Sequence, residues 1–258
     1  MLYLSQTGIG LPDRDYYFLP DEKSKQIRDA YLKHIAKYFT LMGNDQQAAD
    51  RNAQTIMNME TGLAQSSMTR VQQRDPYATY NKMTVAELKK KYAAINWDLY
   101  FTSLGLKPFD TLIVSQPLFL DKVNSMLKST SIDDWKTYYN FEVINGAASV
   151  LSDEYATEDF NFYSKTVRGT EQMDPRWKRV QELENYALGE LVGQEYVKVN
   201  FTPESKQKML DLIHNLIASY SERIAKVDWM SDSTKAYAQN KLSKLMIKVG
   251  YPDKWIDY

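Results

Sequence analysis

The two histidines are the first residues to test for catalysis, because zinc hydrolysis needs three protein ligands and usually takes two histidines one helical turn apart. His34 and His214 fall on different predicted helices. His34 is followed four residues later by Tyr38, and His214 by Ala218, so neither the His-Glu-x-x-His motif nor its inverted form is present. Both histidines interrupt apolar helix faces, which is typical of packed, hydrogen-bonded residues of a core or its rim. The sequence therefore predicts no catalytic, cofactor-binding or metal-binding residue in this chain.

Other catalytic and binding chemistries have less support. A hydrolase using His34 or His214 with a serine stays open as an alternative, but no Gly-x-Ser-x-Gly motif accompanies these histidines. The adjacent carboxylates Asp133 and Asp134 could serve glycoside hydrolysis, although acidic residues at the start of a helix explain them better. No glycine-rich phosphate loop and no EF-hand calcium loop occurs. The absence of cysteine also removes disulfides, thiol catalysis and thiolate metal sites.

Composition excludes several partner classes. The net charge is -1, so no overall field favours nucleic acid or an anionic membrane. No stretch approaches the ~20 apolar residues of a membrane span. The first five residues lack the basic and apolar regions of a signal peptide, so targeting cannot be read from this sequence.

The elements that position these side chains are predicted to be mostly α, forming a multi-helix domain of about nine or ten helices with at most a short strand pair. The opening to Pro20 is interrupted by glycine and proline and reads as a loop with extended stretches. The only predicted strand is the β-branched run Thr111–Val114. Caps and apolar spacing predict helices at 21–42, 45–69, 84–92, from 96, 117–128, from 131, 153–169, 174–192, from 202, and 231–250. The predicted caps include Asp21, Thr84 in a capping box with Glu87, Asp174 and Thr202, and an apolar stripe is predicted from Met209 to Val227.

Residues 1–258 are predicted to form a single helical domain. No internal repeat indicates a solenoid, and no Gly/Ser linker or low-complexity run divides the chain. The aromatic-rich ending Trp255–Tyr258 follows no helix of its own, which indicates a fragment of a longer protein.

A resemblance to a known family enters at residues 8–17, Gly-Ile-Gly-Leu-Pro-Asp-Arg-Asp-Tyr-Tyr. This run resembles the Gly-Leu-Pro-x-Arg-Asp-Tyr-Tyr segment of the neprilysin family of zinc metalloendopeptidases, which includes endothelin-converting enzyme and bacterial oligopeptidase O. Further matches follow in the family's order and spacing, and together they span essentially the whole chain. They are Arg74–Pro76 with Tyr80–Thr84, Arg176–Arg179, Leu191–Val197 with Phe201, Trp229-Met230 with Thr234-Lys235, and Gly250–Asp253.

The resemblance implies an architecture of two mostly helical lobes that enclose a substrate chamber. The family's zinc-binding motifs lie C-terminal to the Gly-Tyr-Pro-Asp segment with which this chain closes, so the catalytic zinc lobe is absent from this chain. The chain is then expected to be the lobe that walls the chamber, with the missing lobe and small peptides as its partners and zinc expected in the full-length protein. By itself it is expected to be inactive. The alternative is a non-enzymatic helical module that binds a peptide or a protein.

The resemblance also bears on origin and on individual residues. Mammalian members are disulfide-bonded, so a chain without cysteine resembles a bacterial member, and members are periplasmic, secreted or membrane-anchored. Arg14 and Arg176 are interpreted as pairing with buried carboxylates across helices rather than binding a peptide carboxyl terminus. Four motif aromatics are interpreted as core and lobe-packing residues rather than substrate contacts: Tyr16, Tyr17, Trp177 and Trp229.

Overall fold

A computed structural model describes residues 2–258, and it confirms the prediction of a mostly helical protein. Eleven α-helices and three short strands occur within this range. The chain divides into two compact units, here called the N-terminal unit (residues 2–173) and the C-terminal unit (residues 174–258). The single-domain organisation stays a prediction.

The N-terminal unit contains eight helices and one small sheet. Short 3-10 turns lie at Arg14–Tyr17, Gln72–Arg74 and Ala148–Val150, and a π-helix lies at Phe160–Val167. The strands are β1 (Tyr3–Leu4), β2 (Lys82–Thr84) and β3 (Thr111–Val114). The helices are α1 (Glu22–Leu41), α2 (Gln46–Gln65), α3 (Pro76–Thr79), α4 (Val85–Lys91), α5 (Trp97–Ser103), α6 (Pro117–Ser129), α7 (Ile132–Ala147) and α8 (Asp153–Asp159).

The predicted strand at Thr111–Val114 is present as β3, and it lies at the centre of a three-stranded sheet rather than in a strand pair. β1 pairs with it in parallel and β2 in antiparallel orientation. Three consecutive residues of β3, Leu112–Val114, are buried, which suits a β-branched apolar run between two neighbours. β1, near the start of the chain, pairs with β3 more than a hundred residues away in the sequence. No local sequence pattern predicts this pairing.

Two long helices, α1 and α2, form the largest packing contact of the unit. Each begins where it was predicted to begin. The side chain of Asp21, the predicted cap of α1, and that of Asp45 at the start of α2 accept hydrogen bonds from first-turn amides. α2 ends four residues before the predicted boundary at Thr69. The amides of Ser66 and Ser67 turn back to carbonyls three residues earlier, which closes the last helical turn.

The core between α1, α2, α7 and the π-helix is rich in aromatic rings. The predicted helix at 153–169 is present, but it widens from α8 into the π-helix at Phe160. In this wider helix the Phe162 ring stacks on His34, with 4.7 Å between ring centroids, and lies 5.2 Å from Tyr31. Tertiary packing therefore selects a helix geometry that sequence periodicity does not distinguish from an α-helix.

The C-terminal unit contains three helices: α9 (Arg176–Asn200), α10 (Pro203–Lys226) and α11 (Asp232–Ser243). α10 begins at the predicted cap, Thr202. The predicted cap of α9, Asp174, is wrong, because Pro175 holds the cap position without a side-chain hydrogen bond. Asp174 instead forms an ion pair with Lys178, 3.3 Å away. α9 continues eight residues beyond the predicted boundary at 192, and α11 ends seven residues before the predicted boundary at 250.

No residue of the C-terminal unit is buried. The predicted apolar stripe of α10 is present at helical spacing, yet Leu212 and Leu216 are each about half exposed.

Among the described helices of both units, none combines the length and the apolar character that a membrane span requires.

Candidate functional site

His34 lies on α1 with a fully buried side chain, and both of its ring nitrogens already face oxygen atoms. Nδ1 lies 3.0 Å from the Glu158 carboxylate, and Nε2 lies 3.3 Å from the Asn145 side-chain oxygen. The Phe162 ring covers one side of the imidazole, and the Tyr163 ring approaches it edge-on. The interpretation of His34 as a packed and hydrogen-bonded core residue agrees with these contacts.

His214 lies on α10 of the C-terminal unit and is exposed. The prediction that it belongs to a core or its rim is therefore wrong, because α10 has no buried face within its unit. Among residues 2–258, no group of three or more His, Cys, Asp and Glu side chains is placed to hold a metal ion. An enclosed histidine engaged at both nitrogens and an exposed histidine outside any three-ligand group of the described residues do not fit a catalytic zinc site.

Asp133 and Asp134 lie in the first turn of α7, as predicted for acidic residues at a helix start. Asp134 completes the cap, since its amide donates to the Ser131 hydroxyl and its carboxylate accepts from the same hydroxyl at 2.7 Å. Asp133 pairs with Lys136 on the exposed side of the helix. Both carboxylates thus stabilise the helix start.

A buried glutamate that sequence reasoning missed organises the Gly8–Tyr17 segment. The Glu60 carboxylate of α2 accepts hydrogen bonds from the hydroxyls of Tyr17 and Tyr31 at 2.5 and 2.8 Å, and from the Gly10 amide at 3.2 Å. Within residues 2–258 no basic side chain forms an ion pair with Glu60. A signal for it exists in the sequence, because Glu60 interrupts the apolar face of α2 four residues after Ile56.

Burial sets the proton affinity of this cluster. Burial raises the pKa of Glu60 to about 7, although the three donated hydrogen bonds oppose the rise. Burial also raises the pKa of Tyr17 and of Tyr31, and the nearby Glu60 charge raises both further. Both phenols therefore stay protonated and act as donors to Glu60.

Two motif glycines are required by close approach to tyrosine hydroxyls. A side chain at Gly10 would place its Cβ within 1.9 Å of the Tyr31 hydroxyl oxygen. Gly8 adopts a φ of 81°, and its carbonyl accepts a hydrogen bond from Tyr138 at 2.8 Å. Gly8 and Gly10 are thus not part of a phosphate loop. Their lack of side chains lets residues 8–17 pack against α1 and α7.

The arginines and aromatics of the motifs divide between the units. The Arg14 guanidinium pairs with the adjacent Asp15 and donates to the Ala64 carbonyl, so the prediction of a buried carboxylate across helices is wrong for it. Tyr17 is buried, as predicted. Tyr16 is half-buried and packs against the main core cluster. In the C-terminal unit, Trp177 and Trp229 are 64% and 74% exposed, which contradicts a place in a core.

One concave feature of binding size in the N-terminal unit is a mostly apolar cleft of about 440 Å³, here called the apolar cleft. It is formed by α5, α6, α7 and the chain after β1. Such a volume lies in the range of roughly 300–1,000 Å³ that is typical of small-ligand pockets. The side chains that define it are Trp97, Tyr100, Phe119, Trp135, Tyr138 and Glu142.

Two polar groups of α7 give the apolar cleft its chemistry. Burial raises the pKa of Glu142, and no cation lowers it. The indole N–H of Trp135 is buried and has no acceptor among the described residues. An apolar pocket with a few such groups is the usual form of a ligand site, because the polar groups orient what the apolar surface holds. Sequence reasoning missed this cleft, because α5, α6 and α7 come together only in the fold.

Comparison with known proteins gives a consistent result. A family model described as peptidase family M13 matches residues 1–252. The chain is similar to endothelin-converting enzyme 1 of Cavia porcellus, with 27% identity over 100% of this chain and 35% of that protein. It is also similar to a neutral endopeptidase of Lactobacillus helveticus, with 28% identity over 98% of this chain and 39% of that protein. The chain thus spans little more than a third of the length of these relatives.

Solved structures agree with the family match. The inhibitor complex of the zinc metalloprotease ZMP1 of Mycobacterium tuberculosis has a TM-score of 0.89 and 36% identity, covering 99% of this chain and 39% of that one. PEPO of Lactobacillus rhamnosis has a TM-score of 0.87 with 18% identity over 98% of this chain and 40% of that one, which supports the fold alone.

Proposed function

Because this chain belongs to peptidase family M13, we propose that it is a helical lobe that walls the substrate chamber of a zinc endopeptidase of small peptides. The family membership agrees with the neprilysin resemblance of the sequence motifs. The chamber, the peptide substrates and the division of labour between lobes belong to the proposal. A bacterial source is part of it too, supported by the absence of cysteine and by the similarity to ZMP1.

The proposal rests on the surroundings of the two histidines, neither of which is placed, among the described residues, to bind a metal. Moving His34 onto a metal would break its contacts with Glu158 and Asn145 and would open a stacked aromatic core. Among residues 2–258, His214 belongs to no group of three or more side chains that could hold a metal ion. The family's chemistry therefore needs ligands from another part of a longer polypeptide, and we assign the zinc to that part.

The role left to this chain is to confine and orient the substrate. Holding a peptide in a reactive geometry raises kcat/KM without any contribution to bond breaking by the residues that hold it. The N-terminal unit suits this role, because its core of stacked aromatics and the Glu60 cluster make a firm support. Close packing of this kind resists deformation when a ligand binds.

The test compares the purified 258-residue chain with the full-length protein on a short internally quenched peptide, with the zinc content of both measured by mass spectrometry. We expect about one zinc per full-length molecule, as in catalytic zinc sites. We also expect chelator-sensitive cleavage by that protein and neither zinc nor cleavage for the 258-residue chain. Stoichiometric zinc or chelator-sensitive turnover in the chain alone would refute the proposal.

His214→Ala in the full-length protein is the matched control. Since His214 is exposed and helical, this variant should fold, bind zinc and cleave the peptide as the wild type does. Loss of zinc from it would show that His214 is a ligand. A full-length protein that binds peptides without cleaving them would instead support the alternative of a non-enzymatic binding module.

A further inference from the structure

The apolar cleft has features of a binding site that the proposed zinc chemistry does not use. Its walls come from separate elements of one unit, with Trp97 and Tyr100 from α5, and Trp135, Tyr138 and Tyr139 from α7. The two aromatic groups are held by ring contacts, with centroids 5.9 Å apart between Trp97 and Tyr100 and 5.8 Å apart between Trp135 and Tyr139. Such a lining offers flat apolar faces to a ligand.

The aromatic side chains also reach the open side of the cleft. Tyr100 is 43% exposed and Tyr139 is 56% exposed, whereas Trp97 and Tyr138 are buried. The cleft therefore has a buried wall and an accessible rim, so a ligand can enter without unfolding the unit. Large exposed aromatic side chains beside a pocket are also a common feature of interaction sites.

The charge of the residues that line the cleft favours a cationic ligand. The described residues that line the cleft include one carboxylate, Glu142, and no Lys, Arg or His. No described basic side chain forms an ion pair with Glu142, and burial alone raises its pKa. A cation bound in the cleft would supply the missing charge, and the surrounding aromatic faces would attract the same cation.

Trp135 lines the cleft, but its indole nitrogen is itself buried, so a ligand acceptor reaches the N–H only if the ring turns towards the cleft. Its buried N–H has no acceptor among the described residues. A peptide brings carbonyl acceptors along its backbone, apolar side chains for the aromatic wall, and a cation when it contains Lys or Arg. A simple amine brings only the cation.

We propose that the apolar cleft docks a peptide segment in which a Lys or Arg is flanked by aromatic or aliphatic residues, with the cation paired to Glu142. The peptide nature of the ligand rests on the proposed function. The described residues that line the cleft form no metal-binding group, so we assign it docking of a substrate segment rather than bond cleavage.

The experiment is calorimetric titration of the 258-residue chain at pH 7.5 with acetyl-Phe-Lys-Phe-amide and two analogues that carry norleucine or glutamate at the centre. Folding is checked by circular dichroism. We expect the lysine peptide to bind about tenfold more tightly than the norleucine peptide, a ratio that corresponds to ~1.4 kcal/mol. The glutamate peptide should bind most weakly, because its charge repels that of Glu142.

Two pairs of variants locate the binding. Glu142→Gln should remove the preference for lysine over norleucine, whereas Glu154→Gln, at an exposed glutamate of α8, should keep it. Tyr139→Ala should weaken both peptides by about threefold, the size of an aromatic contact. Tyr77→Ala, at a tyrosine that is 91% exposed and outside the cleft, should leave both affinities unchanged.

Several results would overturn this inference. They are equal affinity for all three peptides, an unchanged lysine preference in Glu142→Gln, and binding of acetyl-lysine amide as tight as that of the tripeptide. A change in self-association alone on Tyr139→Ala would assign the cleft to contacts between copies of the chain. The assay needs neither zinc nor cleavage, so its failure leaves the proposed function standing, and failed cleavage by the full-length protein leaves the binding result standing.

Discussion

The N-terminal and C-terminal units use similar helices but differ in burial. In the N-terminal unit, α1 and α2 place Ile35 and Ile56 in a core where each is fully buried. In the C-terminal unit, α10 carries an apolar stripe of comparable regularity, and Leu212 on that stripe is 51% exposed. The amphipathic pattern is thus a property of each helix, whereas burial depends on the helices that pack against it.

The difference also decides which polar groups acquire unusual properties. Glu60 and His34 lie within the N-terminal core, where removal from water and fixed partners govern their chemistry. Ionisable residues of the C-terminal unit, such as Glu195 and Lys198, form exposed pairs that contribute ~1 kcal/mol at most. Functional proposals for this chain therefore concentrate on the N-terminal unit.

The largest expected effect tests the difference in burial directly. Leu88→Ala removes a fully buried side chain from the core around the sheet and should lower the free energy of unfolding by ~2–5 kcal/mol. Leu212→Ala makes the same chemical change on the exposed stripe of α10, and it should change the free energy of unfolding by no more than about 0.5 kcal/mol. Urea denaturation followed by circular dichroism measures both. Equal losses would mean that the α10 stripe is buried in solution.

The second prediction concerns the pH dependence that Glu60 brings to the core. Its pKa is raised from 4.5 to about 7 in the folded state. Between these two pH values the folded protein binds more protons than the unfolded chain, so stability is higher below this window and falls as the pH rises through it. The loss is about 3 kcal/mol at most, from 1.36 kcal/mol for each pKa unit.

Glu60→Gln should remove this contribution. The unfolding free energy of the variant, relative to that of the wild type, should therefore increase by up to about 3 kcal/mol between pH 4.5 and pH 7.5. The difference is measured by urea denaturation at matched pH values, which cancels the titration of other groups. Glu154→Gln serves as the exposed control and should show a constant difference. A constant difference for Glu60→Gln would show that its carboxyl titrates normally in the fold.

The smallest expected effect compares helix caps, which act locally in both units. Thr84→Ala and Thr202→Ala each remove a side-chain acceptor for a first-turn amide, at the starts of α4 and α10. Each substitution should lower the free energy of unfolding by ~1 kcal/mol, because a helix cap stabilises its helix without a buried core. Hydrogen exchange of the Glu87 and Ser205 amides reads out the two helix starts, and serine at either position should restore protection. Unchanged exchange at Ser205 in Thr202→Ala would show that this cap does not form.

Local chemistry was readable at most helix starts, with the cap of α9 as the exception. The cap of α1 at Asp21 was predicted correctly, as was the capping box at Thr84 and Glu87. The strand Thr111–Val114 was also located, since a β-branched run between breakers has few other conformations. Helix ends were less accurate: α11 ends at Ser243, although the next breaker in the sequence is Gly250.

The candidate site lies beyond the reach of such patterns. Glu60 was detectable as a polar residue on an apolar face, but its partners Tyr17 and Tyr31 come from two other elements. The apolar cleft forms only when α5 and α7 line the same cavity. Nothing in the sequence around Trp97 indicates that it will lie near Trp135. Pairings over such separations depend on the whole packing arrangement.

The amino-acid sequence by itself determined the helical class, most helix starts and the family to which the chain belongs, because caps, breakers and ordered motifs act over short spans. Only the tertiary structure decided that His34 is enclosed while His214 is exposed, and that Glu142 lies beside aromatic rings with no cation from residues 2–258 paired to it. The physical reason is that burial and electrostatic environment are properties of neighbours in space, and side chains far apart in sequence supply most of those neighbours.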